Sequence, residues 1–213
     1  MSEGRGRRVR QERSERRRER ILDAAFTVFS RRGYREAGVD EVGRQAETSK
    51  GGVYFHFPTK ESLFLELLRT TADRLVDKVE RSMAGIEDPV ERADMALRTV
   101  LAVFGGHRTM ARLFLIDAVG AGDAFRLELQ RLHERFSELI AAQLAAAVEE
   151  GSIAPLDTAV AGMVWFGALD ELVMRWLMNE PHGRLEDSYA PLRELLLRSV
   201  GIPEARIEAL AER

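Results

Sequence analysis

Within thirteen residues the sequence gathers the hydroxyls of Thr48, Ser49 and Tyr54, the ammonium groups of Lys50 and Lys60, the imidazole of His56 and two side-chain-free positions, Gly51 and Gly52. Such groups recognise rather than react. A phenol hydroxyl and an ammonium donate to phosphate oxygens, while adjacent glycines let a backbone come close to a surface. With no cysteine in the chain, zinc-finger, iron–sulfur and thiol chemistry are excluded, and a reducing cytoplasm is the expected compartment. The four histidines, His56, His107, His133 and His182, do not pair at i, i+4 around a carboxylate, so neither a metal nor a cofactor is expected.

Two short helices and a turn are needed to hold these groups in one place. Ile21, Ala25, Val28 and Phe29 recur at helical spacing and Gly33 stands where a helix would stop. Val39, Val42 and Ala46 share one face of a second helix that has Asp40 and Glu41 in its first turn. Ser49 is placed to cap a third helix of about two turns, ended by Pro58, with Val53 and Phe57 on its buried side. Thr59 then caps a fourth helix in which Leu63, Leu67, Leu68, Leu75 and Val79 sustain the period to about Met83. The pattern is that of a helix-turn-helix, whose second helix enters the major groove of a duplex. Two plainer readings stay open at this point: Gly51-Gly52 as a simple connecting loop, and His56 as a packed histidine at the junction of the third and fourth helices.

Charge is distributed to match. Residues 1–60 hold 15 basic and 9 acidic side chains, a net of +6, whereas residues 61–213 hold 17 and 26, a net of -9. A polyanion is therefore expected at one end of the molecule. Nine arginines crowd Arg5 to Arg20, and residues 1–17 read as a flexible basic arm, either an interaction arm or a solvated tail.

The stretch from Ile21 to Leu68 resembles the DNA-binding head of the TetR family of transcriptional regulators. The resemblance is carried by Ile21-Leu22-Asp23-Ala24-Ala25, Phe29, Arg32-Gly33-Tyr34, Val39-Asp40-Glu41-Val42, Ser49-Lys50-Gly51, Tyr54-Phe55-His56-Phe57-Pro58 and Lys60-Glu61-Ser62-Leu63. It implies an all-α fold: a three-helix head over residues 18–64 on a larger helical domain, residues 65–213, that binds a ligand and dimerises. It also implies that Thr48, Ser49, Gly51 and Gly52 face the groove, that Lys50, Tyr54, His56 and Lys60 hold phosphates or the duplex edge, and that Arg44 on the support helix adds a contact. Three departures stand out. Ala37 and Gly38 replace a hydroxyl that would cap the support helix, Glu47 stands at a turn position where glycine is common, and Gly52 replaces a larger residue.

The remainder is divided by Gly/Pro breakers into helical segments with no strand pattern. Met110 to Val119 and Ala159 to Met178 are strongly apolar but carry Asp117 and Asp170. Their stripes are either core and dimer interface or the wall of a ligand pocket. The expected pocket residues are Phe104, Leu113, Phe114, Asp117, Met163, Phe166 and Asp170, and the family resemblance implies a dimer interface on the last two large helices through Gly162, Trp165, Leu169, Leu192, Leu195 and Leu196. A helical-bundle enzyme would have to draw on Asp117, Asp170, Glu171 and His107, which no catalytic spacing links. The expected function is thus a DNA-binding regulator, a homodimeric repressor of a palindromic operator. Its partners would be double-stranded DNA, a second copy and a small apolar effector, with a fatty-acyl compound among the candidates. With no apolar run of about 18 residues, no membrane partner is expected.

Overall fold

The computed structural model describes residues 3–117, 122–178 and 183–211, and every regular element in them is helical. The head comprises α1 (Glu3–Glu36), α2 (Val39–Gln45), α3 (Lys50–His56) and the first turns of α4 (Lys60–Met83). Each boundary has a local cause. Ser49 Oγ accepts from Gly52 N at 3.0 Å to start α3, and Thr59 and Ser62 exchange side-chain and backbone hydrogen bonds in a capping box that starts α4. Gly38 holds the N-cap of α2 with no side chain to close it, as the missing hydroxyl implied. Inside α1 the backbone leaves helical geometry at Gly33 (φ 73°, ψ 166°), and one further turn follows it.

Of residues 1–17, expected as a flexible arm, residues 3–17 are instead the first half of α1, and residues 1–2 lie outside the described residues. The correction has a simple reason: arginine and glutamate are both good helix formers, and interleaving them removes the repulsion of a purely basic run. Gln11 Nε2 donating to Glu15 at 3.2 Å is one such one-turn contact.

The head core is built by Ile21, Leu22, Val28, Phe29, Val42, Val53, Phe57, Leu63 and Phe64, all nearly inaccessible. The expected boundary after residue 64 falls inside α4, whose N-terminal leucines serve the head while Leu75 and Val79 serve the body.

The body follows as α5 (Pro89–Gly106), α6 (Arg108–Arg112), a π-helical turn (Leu113–Asp117), α7 (Asp123–Glu149), α8 (Thr158–Met178), a 3-10 turn (Leu185–Ser188), α9 (Tyr189–Ser199) and α10 (Glu204–Ala211). Gly162 brings α8 close to α7: a Cβ there would lie 2.5 Å from the Ser137 carbonyl oxygen and 3.0 Å from the Ala141 Cβ. The first turn of α7 pushes Phe125 into the head core, where its ring packs edge-on against Tyr34 and Phe64 with centroids 5.0 and 5.4 Å away. Head and body therefore share both α4 and an aromatic joint. Among the described residues no helix is long and apolar enough to cross a membrane.

Candidate nucleic-acid interface and internal cavity

The turn between α2 and α3 is tight because Gly43 permits it. A Cβ at Gly43 would sit 3.1 to 3.3 Å from the backbone of Thr48, Ser49 and Lys50, so a side chain there would push the two helices apart. Glu47 adopts φ 53°, the left-handed conformation that favours glycine, so the turn keeps a glycine-like path at the cost of strain. Its carboxylate lies 3.8 Å from Arg20 Nη1.

This turn presents Arg44, Ser49, Lys50, Gly51 and Tyr54 exposed, with Thr48, Gly52, His56 and Lys60 partly so, while Val53 and Phe57 are buried in the head. All nine residues expected to meet DNA thus lie at least partly on the surface around α3. Gly52 is crowded by the Thr48 hydroxyl, whereas Gly51 is open: a Cβ there would have Ser49 Oγ, at 3.8 Å, as its one near neighbour. Arg44 is 3.8 Å from Asp40 on its own helix. Lys60 differs from the others. Its Nζ donates to the Arg35 carbonyl at 3.0 Å and lies 4.8 Å from the Tyr34 ring centroid, and burial holds its pKa below the ordinary lysine value. It ties the start of α4 to the end of α1.

Two features of this face escape the sequence pattern. Phe55 is 82% exposed beside Tyr54, an unusual position for a phenyl ring. His56 is held below the usual histidine range first by burial and then by the charges of Arg17 and Arg18, so the basic half of α1 runs next to α3. Arg18 reaches this position by pairing with Glu66 and lying 5.2 Å over the Phe57 ring. Only the fold shows that Arg17 and Arg18, about forty residues earlier in the chain, border the same surface.

The body contains an apolar cavity of about 110 Å³ between α4, α5, α7 and α8. Leu75, Val79 and Met83 of α4 form one wall; Leu97, Val100 and Phe104 of α5 another; Phe114 and Leu115 of the π-helical turn, Leu132, His133 and Phe136 of α7, and Trp165, Phe166, Leu169 and Asp170 of α8 complete it. Phe136 and Phe166 stack across it with planes 4° apart. The expected pocket residues Phe104, Phe114, Phe166 and Asp170 all line this space.

Others are placed differently. Leu113 is packed in the head core, because the π-helical turn rotates it away from the cavity that Phe114 faces. Met163 is 57% exposed on the outer side of α8. The Asp117 side chain lies outside the described residues. Conversely, the expected interface residues Trp165, Leu169 and Leu196 line the cavity, and Gly162 and Leu192 are buried within the chain. Leu195 alone of that set is open, at 64% exposed. The reason is that α8 is apolar on two faces: 162, 165, 169, 173 and 177 turn inward, and 160, 163 and 164 outward. A rotation of one residue, about 100°, exchanges the two roles.

Asp170 faces the cavity, Glu171 pairs with Arg175 outside it, and His107 is exposed at the end of α5, so the residues an enzyme would need are dispersed.

Residues 21–67 match the bacterial regulatory proteins, tetR family, and residues 68–199 match the YsiA-like protein, C-terminal region. The chain is 22% identical over 181 residues to the fatty acid metabolism regulator protein of Bacillus subtilis (strain 168), which spans 84% of this chain and 93% of that protein. It is 31% identical over 140 residues to the HTH-type transcriptional repressor KstR2 of Rhodococcus jostii (strain RHA1), spanning 64% and 67%. The fold is also that of the transcriptional regulator FadR from Bacillus subtilis in complex with stearoyl-CoA, with a TM-score of 0.77 at 22% identity over 86% of this chain and 97% of that one. With a helix-turn-helix head, an all-helical body and relatives that are transcriptional regulators rather than enzymes, the chain belongs to the TetR family of bacterial regulatory proteins.

Proposed function

We propose that the protein is a repressor that binds a palindromic operator as a homodimer and is released by a small apolar effector, with a long-chain fatty-acyl compound the first candidate. The observation that carries this reading is the path of α4. Its first turns complete the head core through Leu63, Leu67 and Leu68, and its later turns wall the cavity through Leu75, Val79 and Met83. At about 110 Å³ the cavity is smaller than the roughly 150 Å³ that accommodates one benzene. An acyl chain that fills this space presses on its walls, and displacing the wall formed by Leu75, Val79 and Met83 moves α4. The affinity difference between the open and closed arrangements is what shifts the population away from the DNA-binding form.

The two-fold partner is seated on the outer face of α8 and α9, through Val160, Met163, Val164 and Leu195, whose exposure leaves a large apolar area without cover. Two heads then meet successive major grooves about 34 Å apart. The acidic body and basic head keep the polyanion at one end. The stearoyl-CoA held by the Bacillus subtilis FadR supports the acyl class, and the repressor KstR2 supports the sign of regulation.

The test is retardation of the DNA upstream of the protein's own gene, at low salt, with and without stearoyl-CoA. Retardation that stearoyl-CoA reverses is expected. Failure to retard any DNA sequence would remove the regulator's operator, and retardation indifferent to acyl-CoA would remove the acyl effector.

A further inference from the structure

Most of the cavity wall is hydrocarbon, and its polar exceptions are unequal. Gln143 is already engaged, its Oε1 accepting from Arg92 Nε at 2.8 Å. Asp170 and His133 are not: among the described residues no hydrogen bond reaches the Asp170 carboxylate or the His133 imidazole, although both face the cavity. Their placement is set by two helices. Asp170 lies one turn beyond Phe166 on α8, and His133 lies nearly one turn before Phe136 on α7. The His133 ring packs 4.9 Å from Phe166, which itself stacks on Phe136. The two polar groups therefore sit together beside the aromatic pair. Burial holds the Asp170 carboxyl above the usual carboxylate range, an effect that His133 opposes and Glu171 reinforces. What this corner lacks is a hydrogen-bond donor for the carboxylate.

Chemistry narrows what can fill it. A carboxylate would face Asp170 with like charge in a poorly solvated space. A carbonyl oxygen accepts from His133 but leaves Asp170 unsatisfied. An ammonium would satisfy Asp170, yet it must shed its own hydration to enter the hydrocarbon cavity, and having no acceptor it leaves the His133 N–H unpaired. A hydroxyl donates to Asp170 and accepts from the His133 N–H at once.

We propose that Asp170 and His133 form a specificity-determining polar corner that selects apolar ligands bearing a hydroxyl group and rejects those ending in a free carboxylate. This rests on the reading of the cavity as the effector site, and within the acyl class it ranks members whose buried portion carries a hydroxyl above plain chains.

Titration of the full-length protein with 1-octanol, octanoate, octylamine and methyl octyl ether at neutral pH, followed by calorimetry and by the fluorescence of the cavity residue Trp165, tests it. Octanol is expected to bind about tenfold or more tighter than the other three. In Asp170→Leu the octanol advantage over the ether should disappear, and in Asp170→Asn, whose amide can donate, octanoate should rise to match octanol. Binding of all four ligands within a factor of about three overturns the hydroxyl corner while leaving the cavity as an apolar effector site. A preference that survives in both variants also overturns it. Absence of binding by any of the four overturns the cavity reading itself, and the corner with it.

Discussion

Arg69 on α4 holds Glu128 on α7 with two donors, Nε to Oε1 at 2.8 Å and Nη2 to Oε2 at 2.6 Å. Glu128 is a buried carboxylate, 5% exposed, and Arg131 supplies a further contact at 3.4 Å. The pair lies where α4 passes from head to cavity and where α7 passes from Phe125 in the head joint to Leu132 in the cavity wall. It fixes the relative position of the two helices that both regions share.

Removing the arginine leaves a buried carboxylate with its weaker partner, so Arg69→Ala should lower stability by about 2 kcal/mol at neutral pH. The hydrogen bond from Arg69, opposed in part by burial, holds Glu128 below the ordinary glutamate range. Its folded-state pKa is therefore below its unfolded value. The stabilisation is present above the unfolded pKa, about 4.3, and is lost as pH falls through the depressed folded value. Urea denaturation of the wild type and Glu128→Gln should show a stability gap at neutral pH that closes in strong acid. An equal gap at both pH values would contradict the pairing as its source.

The head was legible in the sequence because short-range rules set it. Ser49 and Thr59 cap the helices they were expected to cap, and Val53 and Phe57 are buried where the period placed them. The body was less so. In α8 both faces are apolar, so periodicity identified a helix but not which side meets its own chain, and Met163 and Trp165 exchanged roles. Leu113 was misplaced because a π-helical turn breaks the 3.6-residue register on which such assignments depend. Arg17 and Arg18 border the candidate DNA-binding surface through the placement of α1 beside α3, a long-range contact no local pattern encodes.

Filling the cavity separates DNA binding from release. Ala96 lines it from α5, and Ala96→Phe should occupy most of the space at an overpacking cost of about 1–3 kcal/mol. The variant should retard DNA as the wild type does and fail to release it when acyl-CoA is added. Release by acyl-CoA at wild-type concentrations would show that the effector binds elsewhere.

Glu47 carries two penalties in one side chain. Its φ of 53° is strained for any residue but glycine, and its carboxylate stands just before the helix that would approach phosphate. Glu47→Gly should raise stability by about 0.5 kcal/mol, the relieved strain outweighing the greater freedom of glycine in the unfolded chain and the weak pair with Arg20. Glu47→Gln should keep the strain while removing the charge. Both should tighten DNA binding, and only the first should raise the melting temperature. A loss of affinity in Glu47→Gln would mean that the carboxylate assists the contact.

The outer face of α8 and α9 gives a direct test of assembly. In a two-fold interface a residue near the axis meets its own copy, so Leu195→Glu or Met163→Glu would set like charges against each other within an apolar contact. Such a juxtaposition costs several kcal/mol, enough to weaken dimerisation by about a hundredfold or more. Native mass spectrometry should show a dimer for the wild type and monomer for these variants, whereas Glu171→Lys, at an exposed position already paired with Arg175, should have a smaller effect. Dimers of undiminished strength in both glutamate variants would place the partner on another surface.

The two lysines of the head should behave differently, although both are basic and near α3. Lys50 is exposed at the first position of α3, and among the described residues no protein partner engages its ammonium. Lys60 is committed to the Arg35 carbonyl and the Tyr34 ring. Each phosphate contact contributes about -0.9 to the slope of log affinity against log salt. Lys50→Ala should thus flatten the slope by about one to two units for a dimer, weaken all DNA sequences alike and leave the melting temperature unchanged. Lys60→Ala should weaken binding too, but with a loss of about 1 kcal/mol in stability as the tie between α1 and α4 goes. Salt titrations and thermal melts of both variants, made in parallel, distinguish a phosphate contact from a positioning contact. An unchanged slope in Lys50→Ala would remove that residue from the interface.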